Sequence, residues 1–178
     1  MKYVLRFDPG KQVIYIHIHT LVSAGTTTFR LPKWRPGRYE FQNFARWIQE
    51  VTAQDEEGNK LSIIQASTHS WNLEVDADRQ IVFSYAFYAQ LHDAGGTYLD
   101  QEYLLFNGIT CLMYQEKYLD QSCELSFELP SSWMLGGDLA FKEAPYQMDD
   151  FHQLVDTPFI ASPHLQHHLF EAAGIDTH

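Results

Sequence analysis

Histidines are the residues of this 178-residue chain whose spacing comes closest to that of a metal site. His17 and His19 would share one face of a strand, roughly 6–7 Å apart. His164 and His168 have the spacing of two ligands on one face of a helix, but Leu165 stands where a zinc peptidase helix carries its catalytic Glu. Because neither pair has a suitable third group nearby, the sequence predicts no metal site, no cofactor and no catalytic residue in this chain.

Nucleophilic catalysis is not indicated either. The chain contains no Gly-x-Ser-x-Gly sequence, and Cys111 lies in an apolar, strand-like run, which favours a packed thiol over a reactive one. The two cysteines, Cys111 and Cys123, cannot form a disulfide framework, and the N-terminus does not resemble a signal peptide. We therefore predict two reduced thiols and a cytoplasmic protein.

Two other stretches concentrate aromatic, Arg, Asn and Asp residues beside turn residues, at 31–46 and 97–108. This composition is typical of a rigid, exposed recognition edge. An alternative is that Pro36-Gly37 forms only a type II turn with a Trp packed beneath it. The candidate residues of the recognition edge are Trp34, Arg35, Tyr39 and Arg46.

The elements that would position these stretches are strands. Apolar and polar residues alternate in 12–20 and 123–129, 80–91 is apolar on both faces, and 55–60 reads as a hairpin loop. Strands separated by frequent turns, without long helical windows, predict an all-β fold: an antiparallel β-sandwich with one or two short helical turns. One such turn is expected near Phe41–Ile48, and the pattern becomes irregular from about Asp149.

The same alternation predicts which side chains form the core. The strand residues that share an apolar face are expected to be buried. They are Ile14, Ile16, Ile18, Trp71, Leu73, Phe83, Tyr85, Leu125 and Phe127.

Composition limits the classes of partner. The chain is 45% hydrophobic and 20% charged, which suits one domain of ordinary size. Twelve Lys and Arg against 23 Asp and Glu give a formal net charge of −11, without a local basic cluster. We therefore expect no nucleic acid and no membrane among the partners.

The motifs of the first stretch resemble the N-terminal domain of the glycyl aminopeptidase family of zinc peptidases. They are Leu-Pro-x-Trp-x-Pro-Gly-x-Tyr at 31–39 and Asn-Phe-Ala-Arg at 43–46. The resemblance extends from Tyr3 to about Phe159 through a series of shorter matches in the same order. These include Trp71, Tyr98-Leu99-Asp100, Asn107-Gly108, Leu129-Pro130, Trp133 and Leu154–Pro158.

The resemblance implies a saddle-like β domain at 1–159, followed at 160–178 by the start of a connection to a catalytic domain that is missing here. The zinc and the His-Glu-x-x-His helix would belong to that catalytic domain. The expected function is a non-catalytic domain that lines the substrate cleft and packs on the zinc domain. Its partners would then be its own C-terminal catalytic domain and a peptide substrate.

On this interpretation the second stretch would help to bind the free amino terminus of a peptide. An ammonium group carries three donors, for which carboxylate and amide oxygens are suitable acceptors. The candidate substrate-binding residues are Tyr98, Asp100 and Asn107. The alternative is a free-standing module that binds, for example, carbohydrate, with Trp34, Tyr39 and Trp47 as a stacking platform. The reading frame after His178 would discriminate between the two.

Overall fold

The structure is a computed structural model. It describes residues 1–35, 37–38, 40–93, 95–166 and 168, and the backbone alone of 170–172 and 175–177. The strands are β1 (Lys2–Asp8), β2 (Val13–Val22), β3 (Gly25–Arg30), β4 (Ile48–Asp55), β5 (Ile63–Ser67), β6 (Ser70–Val75), β7 (Arg79–Tyr88), β8 (Tyr98–Leu99), β9 (Leu104–Phe106), β10 (Cys123–Glu128), β11 (Met134–Gly136), β12 (Tyr146–Met148), β13 (Phe159–Ser162), β14 (Phe170–Ala172) and β15 (Ile175–Thr177). The helical segments are α1 (Phe151–Val155) and the 3-10 turns Phe44–Trp47, Gly108–Thr110, Glu116–Tyr118 and Asp138–Phe141.

The predicted all-β fold is confirmed. The largest sheet has the order β12-β10-β1-β2-β7-β4, a second has the order β3-β6-β5, and a third has the order β11-β13-β9-β8. Strands β14 and β15 pair with each other. One pair departs from the antiparallel expectation, because β1 and β10 run parallel with Lys2 opposite Glu124. The helical segments are also more numerous than the one or two predicted.

Aromatic packing joins two of these sheets into a sandwich. Ile14, Ile16 and Ile18 alternate along β2 and are all fully buried, as their period of two predicts. Phe83 on β7 stacks on Phe29 of β3, with 3.9 Å between the ring centroids. Because β3 and β7 belong to different sheets, this contact lies between the two layers.

The core prediction is confirmed except for Phe127, which is only partly buried. The pairing of β10 with its neighbour β12 ends at Leu125, opposite Tyr146, so Phe127 lies beyond the end of that neighbouring strand. Its ring still packs on those of Phe7, Tyr146 and Phe159, at 5.8, 5.3 and 4.7 Å. The side chain therefore lies at the margin of the core.

The predicted hairpin loop at 55–60 is confirmed, because the Gly58 N–H donates to the Asp55 carbonyl and Gln54 pairs antiparallel with Lys60. Beyond this turn the strands β4 and β5 enter different sheets. The predicted irregular stretch from about Asp149 was wrong. Beyond Asp149 the chain forms α1 and then β13, which pairs with both β9 and β11. The Asp150 side chain caps α1 by accepting from the Gln153 N–H at 2.7 Å.

The predicted domain boundary between 159 and 160 lies inside β13 and stays a prediction. The sequence also leads us to expect that Ser162 to His178 are more mobile than the strands, or ordered only by a neighbouring molecule, because the domain would not bury the apolar residues at 165, 169, 170 and 175. Leu165 is half-buried. Residue 169 and the side chains of 170 and 175 lie outside the described residues, so the order of the tail remains a prediction.

Candidate functional site

An open cleft of about 1150 Å³ lies between the 30–35 segment and the region of α1. Its lining comes from the segments 30–35, 67–70, 107–109, 114–119 and 149–156, together with Gly95. The cleft is large enough for a small ligand or a short peptide, since drug-sized sites usually fall near 300–1,000 Å³.

Tyr114 lines the cleft between the 30–35 segment and α1. Its backbone exchanges two hydrogen bonds of 2.9 Å with Arg30, which fixes it beside the end of β3. On its other side the Tyr114 ring lies 5.1 Å from the Phe151 ring of α1. The Phe151 N–H donates to the Leu119 carbonyl, so the start of the helix is tied to the same part of the cleft. The 30–35 segment and α1 therefore flank one aromatic surface.

The two sides of the cleft carry opposite charges. We call Arg30, Lys33 and Arg35 the basic wall, and Asp149, Asp150 and Asp156 the acidic wall. Arg30 is paired with Glu116 at 3.2 Å and Arg35 with Asp93 at 3.7 Å. Lys33 is exposed and forms no ion pair with any described residue. None of the three acidic-wall carboxylates forms an ion pair within the described part of the chain either.

Asn107 lies where the open end of the β8–β9 hairpin meets the cleft. Its backbone N–H donates to Thr97 Oγ1 at 3.0 Å, and its Nδ2 donates to the Gly95 carbonyl at 2.9 Å. Among the described residues Oδ1 has no hydrogen-bond partner. A Cβ on Gly108 would lie 3.3 Å from Val155 Cα, so this corner of the cleft abuts the end of α1.

Asp100 begins the turn at the other end of the same hairpin, and the hydroxyl of Tyr98 reaches towards it. Asp100 Oδ1 accepts hydrogen bonds from the Glu102 and Tyr103 N–H groups at 2.8 and 2.9 Å, and Oδ2 accepts from the Tyr98 hydroxyl at 3.0 Å. Burial opposes ionisation of this carboxyl, but these hydrogen bonds outweigh it and lower its pKa. The turn and the open end of the hairpin are separated by about three residue steps, or about 10 Å.

The predicted recognition edge is brought only partly to the cleft. Trp34, which is 60% exposed, and Arg35 line it. Arg46 lies outside the lining, with its guanidinium 4.7 Å from the centre of the Trp47 ring. Tyr39 lies outside the described residues.

The acidic wall and Tyr114 were missed by sequence reasoning. The Asp149-Asp150 pair, followed by Phe151 and Gln153, is a helix-start signal that could have indicated α1. Nothing in the local sequence indicates that Tyr114 lies opposite Arg30, since that pairing depends on the tertiary fold.

Gly95 allows Arg35 to pack closely against the loop that holds Asn107. Its φ is +111°, and a Cβ there would lie 1.6 Å from Arg35 Nη1. The same guanidinium pairs with Asp93, which also binds Arg38 at 3.2 Å. A side chain at position 95 would therefore displace the Arg35 guanidinium as well as strain the backbone.

We expect Gly95→Ala to lower the free energy of unfolding by about 2–3 kcal/mol, measured by urea denaturation. Gly58→Ala is the matched control, because Gly58 also has a positive φ of +81° but has open space where a Cβ would lie. The control should lose only about 1–2 kcal/mol, the cost of a left-handed backbone. Equal losses in the two variants would show that contact with Arg35 is unimportant.

Among the residues that the structure describes, no three His, Cys, Asp or Glu side chains form a group that could hold a metal ion. His17 instead forms a hydrogen bond between Nδ1 and Ser84 Oγ, at 2.8 Å. Burial, together with the nearby His19 and Arg6, lowers its pKa. None of the described helices has the length and hydropathy needed to cross a membrane.

Three comparisons with known proteins bear on this fold. A search of curated proteins found no match. Among solved structures, an aminopeptidase N family protein from Idiomarina loihiensis matches with a TM-score of 0.87 and 24% identity, over 98% of this chain and 31% of the other. An M1 zinc metallopeptidase from Deinococcus radiodurans, solved as a mutant bound to a Tyr-Ser-Ala substrate, matches with a TM-score of 0.51 and 12% identity, over 90% and 41% of the respective chains.

This chain thus spans about a third of the length of the first of these structures. At these identities, both matches establish the fold alone. The sequence model of one family, the Peptidase M61 N-terminal domain, matches residues 2–163. This match confirms the resemblance to the N-terminal domain of a peptidase, and because it covers nearly the whole chain, the protein belongs to the Peptidase M61 N-terminal domain family.

Proposed function

We propose that this chain is the non-catalytic N-terminal domain of a glycyl-aminopeptidase-type metallopeptidase. In that enzyme it packs on a zinc-containing catalytic domain and lines the cleft that receives a peptide substrate. The observation that carries the proposal is the family match over residues 2–163. The Idiomarina protein supports it, because that chain is long enough to hold further domains beside this fold. Zinc is expected in the catalytic domain.

Asn107 is the residue best suited to contact the amino terminus of the peptide. Its Nδ2 is engaged by Gly95, which fixes the orientation of the side-chain amide, and its Oδ1 can accept from an ammonium group. Tyr98 and Asp100 stay proposed substrate-binding residues, but they lie on the hairpin beside the cleft and not in its lining. Both Asp100 oxygens accept hydrogen bonds within the hairpin, one of them from the Tyr98 hydroxyl. We therefore assign to this pair the role of holding the hairpin in place, and to Asp100 the role of adding negative charge near the site.

The 31–46 stretch is the proposed contact surface for the catalytic domain. Phe41 is 84% exposed, and Trp34 is exposed at the rim of the cleft. Large exposed apolar side chains of this kind are typical of interaction surfaces. Arg35, Arg46 and Tyr39 belong to the same proposed surface.

The cytoplasmic location also belongs to the proposal. Cys111 and Cys123 are both buried and unpaired, which suits a reducing compartment. The carbohydrate-binding alternative keeps the exposed ring of Trp34 but loses Trp47 from its stacking platform. The Trp47 ring packs against Tyr88, 5.9 Å away, and beneath Arg46, so it is not an open stacking surface.

The gene that encodes this chain provides the test. We expect its reading frame to continue past His178 into a helical region with a His-Glu-x-x-His sequence. The longer protein should hydrolyse peptides with a free amino terminus, whereas residues 1–178 alone should not. A stop codon directly after His178 would contradict the proposal and favour a free-standing binding module. The longer protein carrying Asn107→Ala should show a raised KM, with Asn59→Ala in the exposed 55–60 loop as the control.

A further inference from the structure

The cleft carries positive charge as well as the negative charge that binding one amino terminus requires. A site for an ammonium group needs acceptors and negative charge, which Asn107 and the acidic wall supply. Arg35 packs beside Gly95 and Asn107, whereas Lys33, which lies on the other side of Tyr114 from the acidic wall, has no role in that task. An unpaired cation at the edge of an apolar floor is suited to an anionic group of the same ligand.

Lys33 is the member of the basic wall that is available for such a group. Arg30 and Arg35 are engaged by Glu116 and Asp93, whereas Lys33 is exposed and has no ion-pair partner among the described residues. Its backbone is held in place, because the Lys33 carbonyl accepts from the Gln42 N–H at 2.7 Å. The ammonium group therefore extends from a fixed point of the cleft rim.

The floor between the walls is suited to an apolar side chain. The half-buried Tyr114 ring is backed there by the buried Phe151 ring, and Ile109 and Leu119 line the same surface. With an apolar middle, a negative side and a positive side, the cleft is complementary to a small amphipathic zwitterion. Its volume of about 1150 Å³ leaves room for more than a single amino acid.

We propose that the cleft binds short peptides by both ends, with the ammonium group at Asn107 and the acidic wall and the C-terminal carboxylate at Lys33. This proposal rests on the proposed function for the ammonium end, and it adds recognition of the carboxylate. It makes Lys33 a specificity-determining residue that favours peptides of a few residues over long chains, whose C-termini lie far from the cleft.

The experiment is an NMR titration of the isolated 178-residue chain with three probes: Ala-Phe, N-acetyl-Ala-Phe and Ala-Phe-amide. Each cap removes one terminal charge and leaves the apolar side chain unchanged. We expect saturable shifts at Lys33, Tyr114 and Asp156 with the uncapped dipeptide in the millimolar range. Each cap should weaken binding about threefold to tenfold, as for partly exposed ion pairs.

Charge-removing variants identify the groups involved. Lys33→Met should weaken binding of Ala-Phe about threefold to tenfold but leave binding of Ala-Phe-amide unchanged, because the amide has no carboxylate to lose. Asp156→Asn should weaken the two probes that have a free ammonium group. Lys60→Met and Glu57→Gln remove the same charges from the exposed 55–60 loop and should change nothing. Thermal unfolding of each variant would verify that the fold is retained.

The proposal is overturned if the uncapped dipeptide gives no saturable shift, or if it binds no more tightly than its amide. It is also overturned if Lys33→Met weakens both probes equally, since Lys33 would then act without the carboxylate. None of these results would affect the peptidase proposal, which is tested on the longer protein by its coding sequence and its activity.

Discussion

Replacing Phe83 with Ala is expected to lower the free energy of unfolding by about 3–5 kcal/mol, the usual cost of emptying an aromatic core site. Phe83 is completely buried in β7, which has β2 on one side and β4 on the other. Its ring stacks on Phe29 of the facing sheet and lies 6.2 Å from the Tyr85 ring. Because this ring fills the space between the two layers, they cannot close the cavity without shifting relative to each other.

Urea denaturation of the variant and the parent chain measures this loss, and Ile64→Ala is the matched control. Ile64 lies on β5, at the edge of the small sheet, and is 67% exposed. Its truncation should change the free energy of unfolding by less than about 0.5 kcal/mol. A loss below about 1 kcal/mol for Phe83→Ala would mean that the two sheets do not pack through this ring.

In the folded chain at pH 8, the Cys111 thiol should react with an alkylating reagent about 1000-fold more slowly than in the unfolded chain. Burial raises its pKa from the usual 9.0 to about 12, even though side-chain hydrogen bonds from Thr97 and Thr110 act in the opposite direction. Burial likewise raises the pKa of Cys123 to about 11. The reactive thiolate is therefore scarce in the folded state at both positions.

Alkylation followed by mass spectrometry, in buffer and in concentrated urea, checks this expectation. The unfolded chain provides the internal control, because both thiols are then exposed to the same reagent. Rapid modification of Cys111 under native conditions would contradict its placement in the core. The same raised pKa values favour the folded state fully below pH 9, and this contribution is lost as the pH rises from about 9 towards 12. Tyr3 and Tyr85, whose pKa values burial also raises, act in the same direction.

Local sequence patterns predicted the parts of the fold that depend on local chemistry. The alternation of Ile14, Ile16 and Ile18 predicts a strand with one buried face, because side chains alternate with a period of two along any strand. Alternation cannot show where a strand ends relative to its neighbour, and the partial exposure of Phe127 depends on the short pairing of β12. Nor could it predict the parallel pairing of β1 and β10, which depends on the order of strands in the sheet.

The candidate site was likewise predicted only where local sequence carries the signal. Trp34, Arg35 and Asn107 were selected from their composition and from the resemblance to a family, and the structure brings all three to one cleft. The acidic wall was not predicted, because it faces the 30–35 segment only after β3, Tyr114 and α1 have packed together. A site assembled from distant segments leaves no periodic pattern in any one of them.

The parallel pairing of β1 with β10 also determines the order in which the chain can fold during its synthesis. Strand β1 leaves the ribosome before the other strands of this domain and can pair at once with β2, which follows it directly. Its other edge has no partner until residues near Glu124 have been made, so it remains open while most of the domain is translated. Contacts between such distant residues fold slowly, and an unpaired strand edge is a site for aggregation. Nascent chains of this protein therefore depend on early protection of the first strand more than an all-hairpin sandwich would.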